Sequence, residues 1–233
     1  MIRREPLGSQ VQHLPTDQPQ AVRSATTLAG KRPFDLFAAC VCLVLLSPLL
    51  AVVAVMVLVT SPGSPLFRQT RVGRDRRPFV LYKFRTMYDG SPNDVHREYV
   101  SRLLTDDQPP TGGRQGLFKL EDDPRITPVG RLLRRTSIDE LPQLLNIIRG
   151  DMSLVGPRPV LPWEAELIGP AYSDRFLAYP GLTGLWQVSG RNKLTMMQGL
   201  DLDIEYVRKR SFAFDLAILL KTVPVVLSTH GAR

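Results

Sequence analysis

From Leu36 to Thr60 the chain reads LFAACVCLVLLSPLLAVVAVMVLVT, 25 residues without a charged side chain. As an α-helix this run would extend about 38 Å at about 1.5 Å per residue. A bilayer's hydrocarbon core is roughly 30 Å thick, so the run is long enough to enter a membrane. A cleavable signal peptide fits poorly, because some thirty mostly polar residues come first and TSPGSP follows without an A-x-A site. A buried helix of a soluble protein is the other alternative, and the length of the run argues against it.

Two features argue that the segment turns back rather than crosses. Ser47-Pro48 lies in the middle of the run. Pro48 cannot donate to the Val44 carbonyl, and its ring crowds that carbonyl, which bends a helix. The Ser47 hydroxyl can bond a carbonyl one turn earlier and deepen the bend. Arg23, Lys31 and Arg32 precede the segment, and Arg68, Arg71, Arg74, Arg76 and Arg77 follow it. Basic flanks favour the cytoplasmic side, so a re-entrant helical hairpin suits both ends, whereas a single span with a tolerated proline suits only one. Asp35 is expected at the interface beside Arg32, since an ionisable group costs more the deeper it lies.

The net charge of +8 and pI ≈ 9.9 point to anionic partners: nucleic acid, phosphorylated small molecules or an acidic membrane surface. Cys40 and Cys42 lie two positions apart in the apolar run and read as small hydrophobes. His13, His96 and His230 are single and scattered, without zinc-ligand spacing.

Residues 1–30 are polar and aperiodic, which predicts a disordered tail. PLFRQTRVGRDRRPFVLYKFRTM gives two short runs about a charged turn at Gly73 to Arg77, a β-hairpin pattern. Residues 90–116 read as a mobile connector or lid. Ser211 to Leu227 is apolar but interrupted by Asp215, Lys221 and Pro224. It is expected as an amphipathic helix on the core or at the membrane interface.

RLLRRTSIDELPQLLNIIRGDMSLVGPRP, Arg131 to Pro159, carries the most chemistry. Leu141, Leu144, Leu145 and Ile148 have the spacing of one buried helix face, and Gly150 is a natural C-cap. Pro142 is tolerated only in a first turn, so the helix is expected to begin near Glu140. Ser137 to Glu140 fits an S-x-x-E capping box, and Asp139 alone would make an N-cap. Against that purely structural role stand three neighbours. Arg134 and Arg135 place guanidinium forks beside the helix start. Arg158 sits in the proline-stiffened loop GPRP. A helix start itself attracts anions. Together these describe a site for phosphate and a divalent cation, for which magnesium would use few protein ligands.

These segments resemble those of the bacterial sugar transferases, monotopic polyprenyl-phosphate hexose-1-phosphate transferases of the short exopolysaccharide-initiating type. The likeness covers about Lys31 to Leu227. It runs through KRPFD, the Ser47-Pro48 helix, YKFRTM, DDPRITPVGRLLRRTSIDELPQLLNIIRGDMSLVGPRP and PGLTGLWQVSGRN. The resemblance implies an α+β fold: a mostly helical cytosolic catalytic domain (63–233) with a small β-hairpin, anchored by a re-entrant membrane helix (31–62). It implies that Asp139 attacks the β-phosphate of a UDP-sugar, UDP-galactose or UDP-glucose, to give an aspartyl-phosphosugar and UMP. Undecaprenyl phosphate then accepts the phosphosugar. By the same resemblance Glu140 is the second member of the dyad, Mg2+ binds at Asp139 and Glu140, and Arg134, Arg158 and Arg191 hold phosphates and nucleotide. Lys31 and Arg32 would lie at the membrane-lipid headgroups and Ser47-Pro48 at the bend. The expected location is the bacterial inner membrane with the domain in the cytoplasm; a homo-oligomer is left open.

Lys83 and Arg85 are each candidates for phosphate contact or for plain surface charge. Trp163 and Trp186 are expected in the core rather than stacked on a base. A membrane-tethered nucleic-acid-binding protein is the chief rival, but arginines clustered around carboxylates repel a phosphodiester backbone, so no nucleic-acid partner is expected. A non-catalytic assembly factor is the second rival, which an intact carboxylate dyad disfavours.

Overall fold

The computed structural model describes residues 30–88, 123–190 and 194–227. The expected tail before Gly30, the 90–116 connector, Arg191 and the three histidines lie outside the described residues.

One helix, α1, runs unbroken over Lys31–Thr60 with Pro48 inside it. Ser47 Oγ donates to the Val44 carbonyl at 2.8 Å, the local bond its position beside Pro48 anticipates. Only Asp35, Ala39, Val53 and Val57 are buried along the helix. Val44, Leu45, Val52, Val55 and Val59 are exposed, an apolar surface that a soluble core helix would cover. Cys40 and Cys42 are free thiols on this exposed surface.

The following hairpin pairs β1 (Leu66–Val72) with β2 (Pro78–Phe84), antiparallel, with Leu66 opposite Phe84 and Val72 opposite Pro78. Its turn is the predicted charged stretch, tightened by a 3-10 turn at Arg74–Arg76. Helix α2 (Pro128–Thr136) starts at Thr127, whose side chain accepts from the Gly130 amide, with Pro128 at the first turn.

A 3-10 segment, Ile138–Gln143, then leads into α3 (Leu144–Arg149), which Gly150 ends at φ +95°. The remaining elements are β3 (Ser153–Val155), α4 (Pro162–Leu167), a 3-10 segment at Pro170–Leu177, β4 (Gly181–Thr183), α5 (Leu185–Val188), α6 (Met196–Lys209) and α7 (Phe212–Leu227). The described residues are mostly helical, as expected, but carry two small sheets rather than one hairpin, because β3 and β4 pair in parallel.

The expected α-helix start at Glu140 moves to Leu144, and the Ser137–Glu140 capping box does not form. Ser137 ends α2 in the left-handed region at φ +58°. An N-cap side chain needs extended backbone to reach forward; here the Ser137 carbonyl accepts from the Glu140 amide at 3.2 Å instead. Asp139 is therefore not an N-cap but a member of the 3-10 segment.

The buried face also turns from the predicted one. Leu144 is buried as expected, but Asn146 and Ile147 are fully buried while Leu141, Leu145 and Ile148 are half-buried. Asn146 explains the rotation. Its amide donates to the Val80 carbonyl (2.6 Å) and accepts from the Tyr82 amide (3.1 Å), imitating a peptide unit on the free edge of β2.

The N-terminal end of α1 is bound to the domain through polar groups. Lys31 pairs with Asp215 and reaches the Val155 carbonyl at 3.2 Å. Arg32 donates to the Ile147 carbonyl at 2.7 Å, at the C-terminal turn of α3, where a cation is favoured. Lys31 is thus turned inward rather than towards headgroups, and Arg32, itself exposed, is engaged by α3. Asp35 is corrected too. It is 3 % exposed, accepts from Ser153 Oγ at 2.7 Å and lies 3.8 Å from Lys31 rather than pairing with Arg32.

The loops after β3 and before β4 interlock through glycines. Gly156 N donates to the Thr183 carbonyl (3.0 Å), and Gly181 N to the Pro157 carbonyl (2.9 Å). A Cβ on Gly156 would stand 2.1 Å from the Tyr179 carbonyl oxygen. Rigid backbone offers no rotamer to yield, so Gly156→Ala should cost about 3 kcal/mol. Denaturant unfolding of the detergent-purified protein measures this, and an unchanged midpoint would contradict the packing described.

Candidate active site

The 3-10 segment decides how the two carboxylates face. Its residues advance three per turn, so neighbours diverge while residues i and i+3 eclipse. Glu140 lines a cleft together with Gln143, its i+3 neighbour, and with Arg71, Lys83, Arg158 and Gln187. Asp139, 8 % exposed, lies beside this cleft on the side of Arg134. Burial holds the Arg134 guanidinium below its ordinary pKa, and the charge of Asp139 is the first of the influences that raise it again. Arg134 Nε also donates to Thr86 Oγ1 at 2.9 Å.

Lys83 comes from β2 and pairs with Glu140 Oε1 at 2.9 Å. Its place is thus in the site, on the inner side of the strand. Arg85, two residues further, is not a surface charge. It is 8 % exposed and donates to the Pro62 carbonyl (2.7 Å) and the Ser61 carbonyl (2.5 Å), holding the chain as it leaves α1. Trp186 is core, as expected, with its ring against Gly199.

Arg158 is held by its own backbone. The Arg158 carbonyl accepts from Arg175 Nη2 at 2.8 Å. The Pro159 carbonyl accepts from Arg71 Nη1 at 3.2 Å, and the Val160 carbonyl from the Val72 amide at 2.8 Å. Each arginine is backed by a buried carboxylate. Arg175 pairs with Asp203 at 2.6 Å, and Arg71 lies 3.6 Å from Glu164, which also accepts from the Leu161 amide at 2.6 Å. Burial lowers the Arg71 pKa to about 10, with Glu164 opposing that shift and Arg158 adding to it. Asp203, fully enclosed, is pushed above the ordinary carboxylate range by burial, with Arg175 pulling it back.

Of the residues singled out from sequence, Glu140, Lys83 and Arg158 come together in one cleft, with Asp139 and Arg134 adjoining. Arg85, Lys31 and Arg32 serve the docking of α1. Arg71, Gln143, Gln187 and the Arg175–Asp203 pair were missed. Arg71 could have been noticed: Gln69 and Arg71 alternate on the half-buried face of β1. Gln143 could have been noticed only by reading the segment as 3-10.

Comparison with known proteins bears on this arrangement. A family model described as bacterial sugar transferase matches residues 26–229. The chain is 45 % identical over 202 residues to a UDP-galactose-lipid carrier transferase of Erwinia amylovora, covering 87 % of this chain and 41 % of that protein. It is 42 % identical over 212 residues to the exopolysaccharide production protein ExoY of Rhizobium meliloti, covering 91 % of each. A UDP-glucose:undecaprenyl-phosphate glucose-1-phosphate transferase of Caulobacter vibrioides is 42 % identical over 210 residues, 87 % of this chain and 71 % of that one. The chain thus spans about two fifths of the Erwinia protein and nearly all of ExoY. With the family model covering most of its length, the chain belongs to the bacterial sugar transferase family.

Proposed function

We propose that this protein transfers hexose-1-phosphate from a UDP-hexose, UDP-galactose or UDP-glucose, to undecaprenyl phosphate at the start of exopolysaccharide synthesis. The observation that carries the proposal is the adjacent carboxylate pair on one 3-10 segment, with Glu140 lining a cleft beside Arg71, Lys83 and Arg158 and Asp139 next to it on the side of Arg134. The relatives' names supply the substrate class.

In the first step an Asp139 carboxylate oxygen attacks the β-phosphorus. The bond between that phosphorus and the bridging oxygen breaks, and UMP leaves with the oxygen's electron pair. In the second step a phosphate oxygen of undecaprenyl phosphate attacks the same phosphorus and the Asp139 carboxylate leaves. A carboxylate nucleophile divides one displacement into two. Phosphoryl transfer otherwise needs positioning and charge neutralisation, which Lys83, Arg158 and Arg134 can offer. Glu140, engaged by Lys83, sits where it can steady that cation or hold a metal ligand position.

Mg2+ suits the donor set. Among the described residues no three His, Cys, Asp or Glu side chains group together, and magnesium characteristically takes one or two carboxylates plus substrate phosphates. Asp139 and Glu140 would hold it, and it would supply further charge neutralisation.

The re-entrant placement of α1 has support in packing. Ala39 shares a core with Leu81, and Val53 shares another with Phe84. A bend at Ser47-Pro48 brings both ends to one domain and sends the exposed apolar middle into the bilayer, with the domain in the cytoplasm at the inner membrane.

The test is UMP release by detergent-purified protein from a panel of UDP-sugars, with magnesium and undecaprenyl phosphate. Lipid-dependent UMP from one donor is expected and names the hexose. No UMP from any donor would overturn the proposal.

A further inference from the structure

Two glutamines in the cleft are unexplained by the chemistry assigned so far. Gln143 is 2 % exposed and Gln187 is half-buried; both line the cleft with Glu140, Lys83 and Arg158. Among the described residues neither side-chain amide makes a hydrogen bond, and Gln187 Oε1 is buried without a partner. A buried amide left unpaired is costly, and such groups in native structures call for an explanation.

We propose that Gln143 and Gln187 read the hydroxyl groups of the hexose carried by the donor, an assignment that rests on the function proposed above. An amide presents a donor and an acceptor, whichever way round it is turned. Ionised phosphate oxygens only accept, so a phosphate leaves half of each amide unpaired. Hydroxyls both donate and accept, and so complete it. The phosphates have better partners in the same cleft, the cations Arg71, Lys83 and Arg158.

The uracil ring also offers donors and acceptors, but position separates the two. Gln143 eclipses Glu140 one 3-10 turn away, on the segment that carries the dyad. The phosphate attacked at the dyad bears the hexose directly, whereas the base lies a further phosphate and a ribose away. The group beside Gln143 is therefore the sugar.

The experiment compares kcat/KM for UMP release from the parent UDP-hexose and from analogues each lacking one hydroxyl. Wild type, Gln143→Leu and Gln187→Leu are measured side by side. Wild type should reject the analogue missing a read hydroxyl by at least about a hundredfold, since the site's polar group is then stranded. In the matching leucine variant that ratio should fall to near one, while ratios for the other analogues persist. Leucine replaces an unpaired amide with an apolar group of similar size, so thermal stability should hold or rise as selectivity is lost.

Variants that slow every donor by a common factor, or keep the wild-type pattern, overturn the assignment while leaving the reaction standing. Inhibition by UDP weakened as much as turnover of UDP-hexose would place the amides at the nucleotide and likewise overturn it. Wild type inactive on every UDP-sugar removes the reaction and the assignment together.

Discussion

Asp139→Asn should reduce UMP release by at least about a thousandfold, the scale of loss when a covalent nucleophile is removed, without unfolding the protein. Asparagine matches aspartate in size, and the position is 8 % exposed within a short 3-10 segment. The change removes one negative charge beside Arg134, whose guanidinium keeps its bond to Thr86 Oγ1. Circular dichroism and thermal unfolding should therefore stay close to wild type. The decisive readout is the half-reaction. Incubated with a UDP-sugar labelled in the hexose and without lipid, wild type should retain label on the protein, and Asp139→Asn should not. Glu140→Gln should retain label at a reduced rate, because Glu140 is engaged by Lys83 and faces the cleft rather than Arg134. Labelling of Asp139→Asn at the wild-type level would transfer the nucleophile's role elsewhere, with Glu140 the first candidate.

Features whose cause is local were legible in the sequence. The Ser47 bond to Val44, the hairpin about Gly73 to Arg77 and the Gly150 cap each depend on residues within a turn of one another. Ser137 shows where local reading fails: two local rules compete for one residue. It fits the start of a capping box and also the end of α2, and the preceding helix wins by setting it at φ +58°. The partners of three cations were hidden for a different reason. Lys31 finds Asp215 across 184 positions, Arg32 finds Ile147 across 115, and Arg85 finds Ser61 across 24. Nothing in periodicity or charge pattern encodes such partners. Asn146 is similar, since its role exists only once the edge of β2 is beside it.

The same long-range logic makes Arg175 and Asp203 the most consequential pair outside the dyad. Both are almost fully enclosed, and Arg175 also donates to the carbonyl of Arg158, the cleft arginine. Arg175→Met should destabilise the protein by about 3–5 kcal/mol, because it strands a buried carboxylate. Its pH dependence should identify the cause. Burial already holds Asp203 above the ordinary carboxylate range, and Arg175 is the main group pulling it down. Without Arg175 the folded-state pKa rises further above the unfolded value. A pKa raised in that sense gives stability that is complete below the unfolded pKa and is lost as pH rises through the folded one. The variant should therefore weaken from mildly acidic to neutral pH more steeply than wild type does. Adding Asp203→Leu removes the stranded charge, and well-packed apolar replacements of buried pairs are often neutral, so the double variant should regain most of the lost stability and its steep pH response. It cannot regain the bond to the Arg158 carbonyl. UMP release should thus remain depressed, with the loss falling on KM for the donor, since Arg158 would no longer be held towards its phosphates. A double variant restored in both stability and KM would mean that the pair is there for packing alone, and that the interlocked glycines suffice to hold the loop.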